Sequence, residues 1–305
     1  MRIVTRGRFA PSPTGVLHVG NLRTAIAAYI GARAAGGDFV VRIEDLDRAN
    51  STVEHEQSQI HDLRALGMEF DPAIIRQSER FAVYDEVIAD LTARGLTYEC
   101  FCSRREIREA ASAPNGALPD GAYPGTCRDL SAAEKRERVR AGRPPAIRLR
   151  TNAESYELVD AIRGVYRGTV DDVVLRRNDG VPAYNVAVVV DDAWQDVTHV
   201  VRGDDLLSST PRQIHLQRLL GHASPEYAHV PLVLGADGER LAKRHGAVTL
   251  ADLTALGESV EVVRDELLTS LGLPTGPLDE VARRFDWSQI DKSPWTIPLR
   301  WQTRG

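Results

Sequence analysis

The chain has 305 residues, 43% of them apolar and 27% charged, with a net charge of -5. It is long enough to bury one large or two modest cores, and no run approaches the roughly 20 apolar residues that a membrane span needs. The acidic balance argues against a protein that coats nucleic acid indiscriminately.

The first residues, Met1 to Phe9, are basic but lack the apolar run of a secretory signal. They read as a first strand near Ile3 to Phe9, and the protein is expected in the cytoplasm. A Pro- and Gly-rich loop, Ala10 to Gly15, leads into a helical pattern over Asn21 to Ala35 that stops at Gly36-Gly37. A second strand is predicted at Phe39 to Ile43, a helix at Val53 to Leu66 ended by Gly67, and another helix at Arg80 to Arg94. The βαβα order predicts a parallel sheet.

Regularity breaks from Cys100 to Pro145, which reads as an insertion. It holds all three cysteines, Cys100, Cys102 and Cys127, an odd number that suits a metal site better than a disulfide framework. Three buried apolar cysteines are the plainer alternative. From Phe101 to Arg150 there are eleven Arg and Lys against six Asp and Glu. That excess is either a solvated helix face around Lys135 to Arg143 or a basic approach surface. Strands are expected again at Ile147–Arg150, Val173–Arg176, Tyr184–Val190 and Val197–Val201, completing the sheet. A helix over Pro211–Leu220, a strand at Val230–Leu234 and a mainly helical last stretch follow.

The chemistry is concentrated in the first loop, Arg8-Phe9-Ala10-Pro11-Ser12-Pro13-Thr14-Gly15-Val16-Leu17-His18-Val19-Gly20-Asn21. A His and two glycines at a strand-to-helix junction put backbone N–H groups and the positive helix end where phosphate could bind. The whole string, with Arg23-Thr24-Ala25 after it, resembles the HIGH-containing motif of glutamyl-tRNA synthetases, which are class I aminoacyl-tRNA synthetases. Further matches follow in that family's order: Arg42-Ile43-Glu44-Asp45 with Asp47, Gln77-Ser78-Glu79-Arg80, Tyr184-Asn185 with Asp191-Asp192, and Arg202-Gly203-Asp204-Asp205 with Ser209-Thr210-Pro211-Arg212-Gln213. The KMSKS-type lysine loop appears as Arg240-Leu241-Ala242-Lys243-Arg244, keeping the second lysine but lacking the first and carrying Ala for Ser. Ser12 stands where the glutaminyl branch would carry Glu.

The resemblance implies a Rossmann-like α/β fold in two halves, 1–99 and 147–250, with a zinc-binding insertion at 100–146 and a short helical region at 251–305. It implies ATP-dependent formation of glutamyl-adenylate, with His18 and Lys243 as the catalytic phosphate-binding groups and Gly20 and Asn21 beside ATP, which brings Mg2+. Glutamate would be held by Arg8, Phe9, Ala10, Pro11, Ser12, Glu44, Tyr184 and Arg202. Arginines suit carboxylates because their fork binds both oxygens, and Glu44 would take the ammonium. Read singly, Glu44 could instead pair with Arg42 or Arg48, and Tyr184 could be a core aromatic. By the same resemblance Tyr123 joins Cys100, Cys102 and Cys127 on zinc, with Asp120 or water as rivals for the fourth position.

Only 62 residues follow Lys243, too few for the family's anticodon-binding domain. The pattern therefore resembles the truncated glutamyl-queuosine tRNA(Asp) branch, which transfers glutamate to queuosine in the anticodon arm after an activation step that needs no tRNA. A monomer is expected. Charging of a tRNA 3′ end or another acceptor, or ATP and RNA binding with little catalysis, remain alternatives.

Overall fold

Strand β1 (Arg6–Phe9) runs into the loop at 10–18 and then into α1 (Val19–Ala34). A computed structural model describes residues 5–103, 105–107, 122–152, 154–235, 237–239, 241 and 248–301. Strand β2 (Asp38–Ile43), α2 (Val53–Ala65) and α3 (Phe81–Ala93) follow, close to their predicted positions, with the short strand β3 (Ile75–Arg76), which was not expected, between the two helices. Thr52 starts α2 by accepting a hydrogen bond from the His55 N–H on its hydroxyl, which satisfies one of the orphan donors of the first turn.

Strand β4 (Thr97–Cys100), α4 (Ala132–Arg140) and β5 (Ala146–Leu149) frame the insertion. Next come β6 (Ser155–Asp160), β7 (Gly164–Thr169) and β8 (Val174–Arg176), then α5 (Tyr184–Trp194), β9 (His199–Gly203) and α6 (Thr210–Leu220). Strands β10 (Glu226–Val230) and β11 (Val233–Leu234), helices α7 (Leu250–Ala255), α8 (Val260–Ser270) and α9 (Leu278–Ala282), and β12 (Trp295–Thr296) complete the described chain.

The main sheet has seven strands in the order β3-β2-β1-β9-β10-β6-β7. Every neighbouring pair is parallel except the hairpin β6-β7. Helix α1 is apolar on nearly all sides, from Leu22 and Ile26 to Tyr29 and Ile30. It lies between the sheet and the C-terminal helices, so most of it is shielded from water, apart from its first turn at the cleft and its last residues. One core joins α1 and β2 to Leu253, Leu267, Leu278 and Trp301.

The expected strand at Tyr184–Val190 is corrected to helix α5. Its valines favour a strand in isolation, but Val186 to Asp192 are all buried, and a run that is apolar all round hides the helical period. The runs at 147–150 and 173–176 do not join the main sheet either. They form a separate antiparallel sheet of order β4-β5-β8, in which β5 pairs with β4 on one side and with β8 on the other. The strand expected over Val230–Leu234 is two strands, because Pro231 has no N–H to continue the ladder. The β6-β7 hairpin has no counterpart in the sequence reading, although its burial alternates along β6 and Gly164 supplies the positive φ (75°) at its turn.

Candidate active site

A cleft of about 710 Å³ opens at the C-terminal ends of β1, β9 and β10, beside Glu44 just past β2. Strand β2 lies on one side of β1 and β9 on the other. The cleft thus sits where strand order reverses, the usual ligand position in open α/β sheets. Arg8, Phe9, Ala10, Pro11, Ser12, His18, Gly20, Asn21, Glu44, Tyr184 and Arg202 all line it, so residues predicted from four separate stretches converge on one cavity. Leu241 lines it too, while Lys243, with Arg240, Ala242 and Arg244, lies outside the described residues.

His18 is the N-cap of α1. Its Nδ1 accepts hydrogen bonds from the backbone N–H groups of Gly20 (3.0 Å) and Asn21 (3.3 Å), while Asn21 Oδ1 accepts from His18 N–H (3.2 Å). With Nδ1 used as acceptor, the neutral ring carries its proton on Nε2 and is a donor at the mouth of a helix N-terminus. Gly20 is required for this packing, because a Cβ there would lie 2.9 Å from the His18 ring. Gln59 on α2 holds the preceding loop, donating to the carbonyls of Ser12 (3.0 Å) and Gly15 (2.7 Å).

The two arginines differ in kind. Arg8 is already neutralised, with Nε and Nη2 on the Asp192 carboxylate (3.3 and 3.5 Å) and Nη1 on the Val201 carbonyl (3.2 Å). Arg202 is also buried but is held only by neutral groups: Nε donates to His229 (3.1 Å), Nη1 to Gln213 (2.8 Å) and Tyr184 (3.5 Å), and Nη2 to Thr210 (2.9 Å). Among the described residues no carboxylate pairs with it. A buried cation without a counter-charge is costly and calls for an anionic ligand.

Behind the cleft, motifs that look separate in sequence meet in one ionic cluster. Arg42 pairs with Asp192 (2.8 Å) and Glu44 (3.3 Å), and Asp191 receives Arg80 (2.8 Å), Gln77 (3.0 Å) and the Tyr84 hydroxyl (2.7 Å). Asp45 accepts from the backbone and side chain of Ser78 (2.8 and 2.5 Å). Glu44 therefore does pair with Arg42. Burial still raises its pKa, against the opposing pull of Arg42 and Arg8. Burial opposes ionisation of Asp192 as well, but Arg8 and Arg42 prevail and hold its pKa below the usual carboxylate range.

Residues that the sequence reading left without a role include Arg23, Asp160, Gln213 and His229. Arg23 is fully buried and clasps Pro231 O (2.7 Å) and Ser270 Oγ and O (both 2.9 Å), tying α1 to α8. Thr210 and Gln213 were visible in the Ser209–Gln213 string, but their contact with Arg202 depends on the α6 packing.

Cys100, Cys102 and Cys127 bring their sulfurs within 4.8 Å of one another on the β4 side of the insertion. The Tyr123 hydroxyl is 3.3 Å from Cys100 Sγ and 3.5 Å from Cys102 Sγ, and it accepts the Cys127 N–H at 2.9 Å. Tetrahedral zinc at about 2.3 Å from each thiolate spaces its ligands roughly 3.5–3.8 Å apart, near the 3.4 Å between Cys102 and Cys127 Sγ and the Tyr123 contacts, so this donor set could hold the ion. Asp120, the rival fourth ligand, lies outside the described residues. Burial pushes the Cys102 thiol up to about 12, whereas at Cys127 burial is outweighed by the Phe101 N–H, Tyr123 and Cys102. A bound cation would hold all three as thiolates. Protein purified without chelator is expected to carry close to one zinc by elemental analysis, and Cys127→Ser less than half of that. Metal-free wild-type protein would mark the cluster as apolar packing.

The family described as "tRNA synthetases class I (E and Q), catalytic domain" matches residues 4–295. A "Glutamyl-Q tRNA(Asp) synthetase" of Nocardia farcinica is 57% identical over 95% of this chain and 92% of its own length. One from Symbiobacterium thermophilum is 48% identical over 96% and 95%. A "Glutamate--tRNA ligase" of Nitrosospira multiformis is 42% identical over 95% of this chain but 63% of its own. Among solved structures, a glutamate tRNA ligase from Elizabethkingia meningosepticum, in complex with its amino acid, superposes with a TM-score of 0.79 at 28% identity, covering 98% of this chain and 68% of that one. No helix among the described residues is long and apolar enough to cross a membrane. The chain belongs to the class I tRNA synthetases for glutamate and glutamine, a family of ligases, and within it to the glutamyl-Q tRNA(Asp) synthetases.

Proposed function

We propose that this cytoplasmic enzyme activates L-glutamate with ATP in the absence of tRNA and transfers it to queuosine at the wobble position of tRNA(Asp). The observation that carries the reading is Arg202, a buried guanidinium in the cleft held by neutral partners alone. It takes the side-chain carboxylate of glutamate, while Glu44 takes the ammonium and Tyr184 closes the pocket beside Arg202. Arg8, already paired with Asp192, orients the pocket more than it neutralises it.

An oxygen of the glutamate α-carboxylate attacks the α-phosphorus of ATP, the bond to the β-phosphate bridging oxygen breaks, and pyrophosphate leaves. The protein's part is alignment and stabilisation of negative charge. His18 Nε2–H and the N-terminus of α1 face the phosphates as neutral donors, with Lys243 as the cation. Mg2+ arriving with ATP supplies further charge neutralisation. A cyclopentenediol hydroxyl of queuosine then attacks the acyl carbon, loses its proton and displaces AMP.

The acceptor assignment is supported by the relatives: those matched nearly end to end carry the glutamyl-Q name, and the glutamate ligase is matched over 63% of its length. With labelled glutamate and bulk tRNA, nuclease mapping is expected to recover label on the queuosine-containing anticodon fragment of tRNA(Asp). Label on the 3′-terminal adenosine, or equal charging of tRNA lacking queuosine, returns the reading to conventional charging. Helix α4 exposes Arg136 and Arg140, the basic face offered to the RNA. Arg138 reaches the Cys127 sulfur (3.9 Å), so a test of that face leaves it in place.

A further inference from the structure

Arg202 is aimed by a buried pair that no substrate contact explains. Asp160 and His229, both with fully buried side chains, meet through Asp160 Oδ2 and His229 Nδ1 at 2.6 Å, and His229 Nε2 lies 3.1 Å from the Arg202 Nε–H. Arginine cannot accept, so Nε2 must offer its lone pair to that N–H, and the imidazole proton must be on Nδ1, facing Asp160. Burial lowers the His229 pKa, with Arg202 acting in the same direction against Asp160, which favours the neutral ring. The Tyr227 ring lies nearly parallel to the imidazole, centroids 6.1 Å apart and planes 14° from each other.

We propose that Asp160 and His229 are positioning residues that lock the Arg202 fork toward the substrate carboxylate by fixing the histidine tautomer. This rests on the reading of Arg202 as the carboxylate binder. The geometry at Asp160 makes the idea sharp. Its Oδ1 accepts three backbone N–H groups, those of Ile162 (3.0 Å), Arg163 (2.8 Å) and His229 (3.1 Å). In Asp160→Asn those three donors hold the amide oxygen at the Oδ1 position, which puts the NH2 group against His229 Nδ1. The ring must then protonate on Nε2 and turn a donor toward the Arg202 N–H, where two donors repel.

Nitrogen NMR of His229 in the whole protein is expected to show the Nδ1–H tautomer in wild type and Nε2–H in Asp160→Asn. In tRNA-free pyrophosphate exchange, Asp160→Asn should raise KM for glutamate at least tenfold and leave KM for ATP within about twofold. His229→Gln presents an amide oxygen in place of Nε2 and has no tautomer to invert. Adding Asp160→Asn to it should therefore cost most of an order of magnitude less than in wild type. A merely structural Asp160 would cost the same in both backgrounds, and that result overturns the proposal. So does an Nε2–H tautomer in wild type, or an unchanged glutamate KM in Asp160→Asn while Arg202→Ala is impaired. If Arg202→Ala itself keeps its glutamate KM, the carboxylate-binding reading fails instead, and the tautomer measurement still decides the pair.

Discussion

Arg202→Ala is expected to lower kcat/KM for glutamate in pyrophosphate exchange by roughly 30- to 5,000-fold, the equivalent of about 2–5 kcal/mol for a buried hydrogen-bonded charge pair that loses one partner. The loss should also erase the preference for glutamate over glutamine, because the substrate carboxylate would be buried without a cation. Stability should change far less. In the substrate-free protein the guanidinium is a buried charge held by His229, Gln213, Thr210 and Tyr184, all neutral, so relief of that charge offsets the hydrogen bonds lost. Glutamate should raise Tm in the wild type and fail to do so in the variant, since a ligand stabilises only the state it binds. Undiminished discrimination in Arg202→Ala would place the selector elsewhere.

Arg42→Met should have the largest effect on stability, about 3–5 kcal/mol, because it leaves the buried Glu44 carboxylate without its ion-pair partner, Asp192 with Arg8 alone and Asp191 with less support. Burial by itself would lower the Arg42 pKa, and Asp192, Glu44 and Asp191 overcome it and raise it instead. In the wild type the lowered pKa of Asp192 gives stability that is present above its ordinary value of 3.8 and lost as pH falls through the lower, folded value. Without Arg42 the Glu44 carboxyl, already raised by burial against the pull of Arg42, should rise further, so the variant's deficit is small in acid and grows as pH rises toward neutrality. Urea denaturation at pH 4.5 and pH 7.5 would show it, and an equal deficit at both would mean that packing rather than charge is lost. Arg8 leans on the same Asp192, so the variant should also bind glutamate less well.

Much of this site is legible in the chain because its parts are local strings. The loop from Arg8 to Asn21 is a single strand-to-helix junction, and its neighbours in space are largely its neighbours in sequence. The strand and helix positions through α3 follow from turn glycines and hydrophobic period, which are short-range signals. The three cysteines are likewise conspicuous by type and spacing alone.

Other properties belong to no local string and were decided by packing. Helix α5 has the residues of a strand, and only burial on all sides makes it a helix, because tertiary contacts outweigh the small β preference of its valines. Both Arg8 and Arg202 read as carboxylate binders in sequence. Which of them keeps an uncompensated charge depends on Asp192, contributed by α5, and on His229, contributed by β10. His18 gains its role as a helix cap from backbone geometry, and Tyr123, more than twenty residues from Cys100 in sequence, meets its sulfur only in the folded protein. Residue types and their local order determined the chemistry available to this protein. The pairing of charges across more than a hundred residues decided which groups are spent on holding the fold and which remain to meet a substrate, since burial sets the cost of every charge left unpaired.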